Sequence, residues 1–162
     1  MASNAPKPVE IKNGEVTFIS NVDRCQYTIT ELSKMALRDV AKLLRQRIKD
    51  PSNMPEKTGN LKKNVGTWVK IDKDTGQPVL QIGVYNKERA HKKGLKYAFY
   101  APYLELGTKK RKPVNNGKGF IKHVVEASID DIRRIEGAYL KEIEDENKAL
   151  GLIREGEEIA DD

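Results

Sequence analysis

Three features of the sequence predict an α+β domain: a small antiparallel sheet with a long β-hairpin, and two helices packed on one face. Residues 30–49 repeat Leu32, Ala36, Val40, Leu43 and Ile48 at helical spacing. Two runs rich in β-formers, residues 65–71 and 79–85, flank a polar turn that holds Gly76 and Pro78. A second helical period, Phe120, Val124, Ile132, Ile135, Tyr139 and Ile143, covers residues 120–146.

The chain begins with residues 1–8, which contain Pro6 and Pro8 and little to bury, and read as an arm. They hold no apolar segment of the kind a secretory signal needs. Val9-Glu10-Ile11-Lys12 and Val16-Thr17-Phe18-Ile19 then flank Asn13-Gly14. Alternation around Asn-Gly predicts a hairpin, because a type I′ turn needs positive φ at its centre. Thr28-Ile29-Thr30-Glu31 reads as a capping box opening the first helix, and Asp50-Pro51 closes it, since the residue before a proline leaves the helical region. Residues 51–60 are a loop rich in breakers, and residues 86–96 a basic loop. The predicted organisation is an arm and short hairpin over residues 1–27, a core domain over 28–146 and an acidic tail over 147–162.

Composition narrows the function classes. The chain has 162 residues, one cysteine, and no apolar run of about 18 residues such as a membrane span needs. Cys25 alone permits neither an internal disulfide nor a cysteine metal cluster, which fits synthesis in a reducing cytoplasm. The net charge of +6 is unevenly spread: residues 142–162 hold nine acids and two bases, a net −7, which leaves +13 on residues 1–141. So basic a body attracts polyanions, and the acidic end suits a basic neighbour such as the next copy in a ring. Solvated surface accounts for the same charges.

Catalytic chemistry finds little support. His91 and His123 lack Asp or Cys at ligand spacing, whereas a metal site needs three or four converging donors. No phosphate-binding glycine loop, dinucleotide fingerprint or nucleophile elbow occurs. Glu105 and Glu126 are the acids to weigh as a proton-transfer pair, but nothing in the sequence places them in a cleft. The expectation is a protein that is not an enzyme and takes no cofactor or metal.

The most informative stretch is Tyr97-Ala98-Phe99-Tyr100-Ala101-Pro102-Tyr103-Leu104-Glu105-Leu106-Gly107-Thr108, followed by Lys109-Lys110-Arg111-Lys112-Pro113. It reads either as a core strand with an exposed basic turn or as a partner surface. On a strand, Glu105 would point opposite Leu104 and Leu106, outward to an ion pair with a lysine. The lysines and Arg111, together with Tyr97, Phe99, Tyr100 and Tyr103, also allow the alternative of a small basic nucleic-acid-binding module.

Two motifs carry a resemblance. Thr58-Gly59-Asn60-Leu61-Lys62-Lys63-Asn64-Val65 resembles the T-G-x-L-[RK]-x-[SN]-[IV] entry to the first strand of a phage family, the small neck or tail-completion proteins of long-tailed bacteriophages. Tyr100-Ala101-Pro102-Tyr103-Leu104-Glu105-Leu106-Gly107-Thr108 is similar to that family's Y-A-x-[YF]-[VL]-E-[FLY]-G-T segment. Where the family opens its last helix with P-F-[LI]-x-P-A, only Phe120-Ile121-Lys122 remains, without either proline, so this entry is expected to be built differently. The resemblance covers residues 28–140.

It implies a structural virion protein, made in the host cytoplasm, that forms a hexameric ring at the head–tail junction. Its implied partners are itself, the head connector or stopper, and the tail terminator or tail tube, with packaged DNA in the lumen. The residues expected at the ring or partner interface are Trp68, Tyr100, Tyr103, Glu105, Gly107, Thr108, Lys109, Lys110, Arg111 and Lys112. The basic turn then either faces DNA or seats on an acidic partner ring.

Overall fold

The computed structural model describes residues 6–14, 16–54 and 59–144. The first residues of the predicted arm, Thr58 of the first motif, and the acidic tail over 147–162 lie outside the described residues. An antiparallel hairpin comes first, β1 (Val9–Asn13) and β2 (Val16–Ser20). Its register pairs Asn13 with Val16, so Asn13 is the last ladder residue and Gly14, at φ 61°, takes the left-handed position. The turn therefore sits one residue later than Asn13-Gly14 suggests. Val9, Ile11, Phe18 and Ile19 are all exposed.

Helix α1 (Val22–Ile48) is the element against which both halves of the core pack. Leu32, Ala36, Val40 and Ile48 are buried along one stripe, as the periodicity predicts, but Leu44 rather than the half-buried Leu43 completes it. The capping box is absent. Thr28 lies inside the helix and its hydroxyl donates to Arg24 O at 2.9 Å, while Thr30 and Ser33 donate likewise to Gln26 O and Ile29 O. These hydroxyls satisfy themselves on the preceding turn, which removes their preference for a helix end. The helix stops at Lys49, and the Asp50 carboxylate accepts from the Ser52 amide and hydroxyl beyond it.

A short helix, α2 (Asn60–Asn64), leads directly into β3 (Val65–Ile71), which pairs antiparallel with β4 (Pro78–Val84) from Val65↔Val84 to Ile71↔Pro78. Asn64 is fully buried, and its side-chain amide donates to Asn60 O at 2.8 Å and Lys96 O at 2.9 Å. The start of the hairpin is thereby tied to the chain entering the aromatic stretch. Gly66 is required by packing: a Cβ there would lie 2.4 Å from the Tyr85 ring.

Beyond β4, the expected basic loop contains a helical segment, α3 (Lys87–Lys92), capped by Asn86, whose Oδ1 accepts from the Arg89 amide at 2.9 Å. The aromatic stretch is not a strand. It forms α4 (Ala101–Leu106), with Pro102 in the first turn. Ala98 and Ala101 are buried while Phe99, Tyr103 and Leu106 are exposed, a spacing of three and four residues that an alternating reading obscures. A single distorted turn, α5 (Val114–Gly117), has Asn115 and Asn116 at positive φ.

The expected last helix is two: α6 (Phe120–Ala127) and α7 (Ile129–Lys141), followed by a 3-10 turn, Glu142–Glu144. The break falls at Ser128, which is buried and has φ −110° and ψ 6°. Arg47 of α1 donates to Ser128 Oγ at 2.8 Å and to Asp131 at 2.6 Å, fixing the bend from outside. The class is α+β, with two antiparallel hairpins among the described residues. One core cluster joins Val40, Leu44, Ile48, Met54, Leu61, Val65, Ala98, Ala101, Phe120 and Val124.

Candidate partner interface

Residues 97–113 are mounted on that core by Ala98, Tyr100, Ala101 and Leu104, and present Phe99, Tyr103 and Leu106 outward. Phe99, Tyr103 and Leu106 are 67%, 58% and 77% exposed, the last two three residues apart on α4 and Phe99 in the turn before it. Tyr100 instead packs against the core cluster, its ring edge-on to Phe99 with centroids 5.6 Å apart.

Glu105 belongs to the inner side of this segment. Its carboxylate accepts from the backbone amides of Ile121 at 2.8 Å and Lys122 at 3.0 Å. These are orphan donors in the first turn of α6, a helix end that has no capping side chain of its own. The carboxylate supplies both the acceptor and the negative charge that a helix N-terminus favours. Glu105 is thus not an outward strand acid. Glu126 is engaged elsewhere, with Lys118 at 3.0 Å, and that bond holds its carboxyl below the usual range.

Two glycines make this arrangement possible. Gly107 has φ 77° and ψ −168°, a region in practice reserved for glycine, and a Cβ there would lie 2.7 Å from Arg111 O. Gly119 has φ 81° and ψ 166°, and its Cβ would lie 2.5 Å from Glu105 O and 2.7 Å from the carboxylate. Gly107 was legible from the motif. Gly119 was not, and only its place just before the apolar period of α6 hints at it.

The basic residues sit on a closed turn rather than a loose strand end. The Thr108 amide donates to Arg111 O at 2.7 Å, and Thr108 Oγ1 accepts from the amides of Lys110 at 3.3 Å and Arg111 at 3.1 Å. Lys109, Lys110, Arg111 and Lys112 are exposed, and no ion pair engages them among the described residues. Tyr103 and the four cations therefore lie on consecutive surface segments, α4 and the turn that follows it. Trp68 lies elsewhere: its ring is edge-on to Tyr85 with centroids 5.8 Å apart, and the Arg89 guanidinium stands 4.6 Å over it.

Asn64 is another residue that sequence reasoning passed over, although it stands inside the first motif. Through Lys96 O it connects that motif to the second, and Leu61, Val65, Ala98 and Ala101 complete the junction in the core. Among the described residues the two motifs form one structural unit.

The family described as "Bacteriophage HK97-gp10, putative tail-component" matches residues 17–107, more than half of the chain, and the chain belongs to this family of phage tail components. No curated protein and no solved structure matches it. The matched span runs from β2 to Gly107, includes the whole first motif and all of the second but Thr108, and ends just before the basic turn.

Proposed function

We propose that this chain is a structural virion protein of the head–tail junction that completes the neck as a ring of six copies. In this reading the ring lies between the head connector or stopper and the tail terminator or tail tube. Membership of a phage tail-component family supports it. The observation that carries it furthest is the exposed Phe99, Tyr103 and Leu106, followed by a clamped turn whose four cations enter no ion pair among the described residues. Exposed apolar side chains beside one sign of charge, on a rigid mount, are suited to a protein partner of opposite charge.

The β1–β2 hairpin supports the same reading. A two-stranded hairpin alone is marginal in water, yet Ile11 and Phe18 are 57% and 60% exposed, so a neighbouring subunit is the natural cover. The arm and hairpin up to Ser20 and the acidic tail of 147–162 are then additions to a core that starts with α1 at Val22, earlier than the expected boundary at residue 28. Among the described residues no helix is long and apolar enough to cross a membrane.

Charge reversal of Lys109, Lys110, Arg111 and Lys112 together tests the reading. The variant folds, because these side chains touch nothing that holds the turn, but it fails to join heads to tails. Joining at normal efficiency would leave the turn as solvated surface. Binding of the wild-type turn to DNA, lost in the variant, would assign it to the lumen instead.

A further inference from the structure

A second charged surface lies away from that turn. Arg38, Lys42, Arg45 and Lys49 recur along one face of α1 and, with Ala41, Gln46, Thr67, Trp68 and Val69, line a groove of about 510 Å³ between α1 and β3. At 1.5 Å per residue the four cations span about 16 Å. No acid lines the groove, and none of the four cations enters an ion pair among the described residues. Burial, and after it the nearby charges of Arg45 and Lys62, pushes the Lys49 amine below its usual range. The groove therefore holds like charges together over an apolar floor, an arrangement that an anionic occupant relieves.

We propose that this groove receives the acidic C-terminal segment of a neighbouring copy. The last eight residues, Glu155-Gly156-Glu157-Glu158-Ile159-Ala160-Asp161-Asp162, contain five acids and no base, and Ile159 can meet Trp68 and Val69. An extended segment covers about 16 Å in five or six residues, which matches the stripe of cations. A groove of this size admits a single extended chain more readily than a nucleic-acid duplex. The donor is the neighbouring copy that the ring reading supplies, with the same copy as the competing outcome of the test. Ile143 lines a different groove along Val22 to Leu37, on the first half of α1, whereas the cationic groove lies on the second half against β3. Such a contact is head-to-tail, the kind that closes a ring.

This inference rests on the ring reading only for the presence of a neighbour. The test mixes full-length protein with its ¹⁵N-labelled counterpart, couples carboxylates to lysines with a carbodiimide at low salt, and identifies the products by mass spectrometry. Isotopically mixed links from Lys42 or Lys49 to acids of residues 155–162 are expected, and high salt should remove them. The Arg38→Glu/Arg45→Glu variant keeps both reporter lysines and should lose the links while its circular dichroism is unchanged. Links confined to one copy would overturn the proposal, as would links to Lys109, Lys110 and Lys112 without any to Lys42 or Lys49. DNA binding abolished by Arg38→Glu/Arg45→Glu would overturn it too. A ring that forms without mixed links removes the groove assignment alone; mixed links in a chain that makes no ring remove the ring reading alone.

Discussion

The Glu105 carboxylate accepts from the backbone amide of Ile121, 2.8 Å away and sixteen residues on, and with the neighbouring Lys122 bond it ties α4 to the start of α6. It also accounts for a departure seen in the sequence. The entry to α6 lacks the flanking prolines of the resembling family, and here the helix start is organised by an acid from α4 together with Gly119. Replacing Glu105 with alanine leaves two first-turn amides without their acceptor. The expected cost is about 1 kcal/mol of stability, the usual worth of a lost cap, measured by urea unfolding. Unchanged stability would show that water serves the amides equally well.

Gly119→Ala should cost more than the Glu105 change. Its backbone conformation costs a non-glycine residue roughly 1–3 kcal/mol, and the added Cβ must also displace the Glu105 backbone carbonyl. Gly94→Ala is the control, since Gly94 has φ 64° but open space around it, and only the left-handed cost of about 1–2 kcal/mol applies. Equal losses in the two variants would show that the close approach to Glu105 is relieved by a small shift of α4.

The sequence made α1, the β3–β4 hairpin and the first hairpin legible because each has a strong period or a turn signal. It failed where local and tertiary signals compete. Residues 97–106 have apolar side chains at odd and even positions alike, so only the burial of Ala98 and Ala101 against the core reveals a helical turn. Ser128 looks like one more polar residue of a long helix, and its break depends on Arg47, 81 residues earlier. The candidate interface was readable as a stretch, but not the division within it between outward Tyr103 and inward Tyr100 and Glu105. That division is set by contacts with α6 and the core, which no local pattern encodes.

Tyr139 of α7 donates to Asp39 of α1 at 2.5 Å, and its hydroxyl pKa is pushed up to about 12 by burial and by that bond. The folded value lies above the ordinary 10.0, so the fold favours the protonated phenol. Its contribution is therefore complete below pH 10 and is lost as pH rises from 10 to 12. Tyr139→Phe should lower stability by about 1 kcal/mol near neutral pH and flatten the alkaline part of the stability curve. Thermal unfolding from pH 7 to 12 checks this; an alkaline slope equal to the wild type's would assign the loss to other groups.

Gly107→Val should impair assembly through the turn it closes. The substitution brings a β-branched side chain into a glycine-only conformation and against the backbone of Arg111 and Pro113. The turn of Thr108 to Arg111 is expected to open, which proteolysis at its lysines and Arg111 reports as cleavage at least several-fold faster than in the wild type. Cleavage at the wild-type rate would show that Gly107 does not hold the turn.

The most direct measurement is the mass of the purified protein by light scattering, after nuclease treatment, alone and with connector or tail components. A nucleic-acid-free ring, several times the 18.3 kDa of one chain, is the predicted result, either directly or once the partners are added. A chain that stays monomeric with both partners present, and instead carries nucleic acid that it sheds in high salt, would contradict the ring and favour a nucleic-acid-binding module.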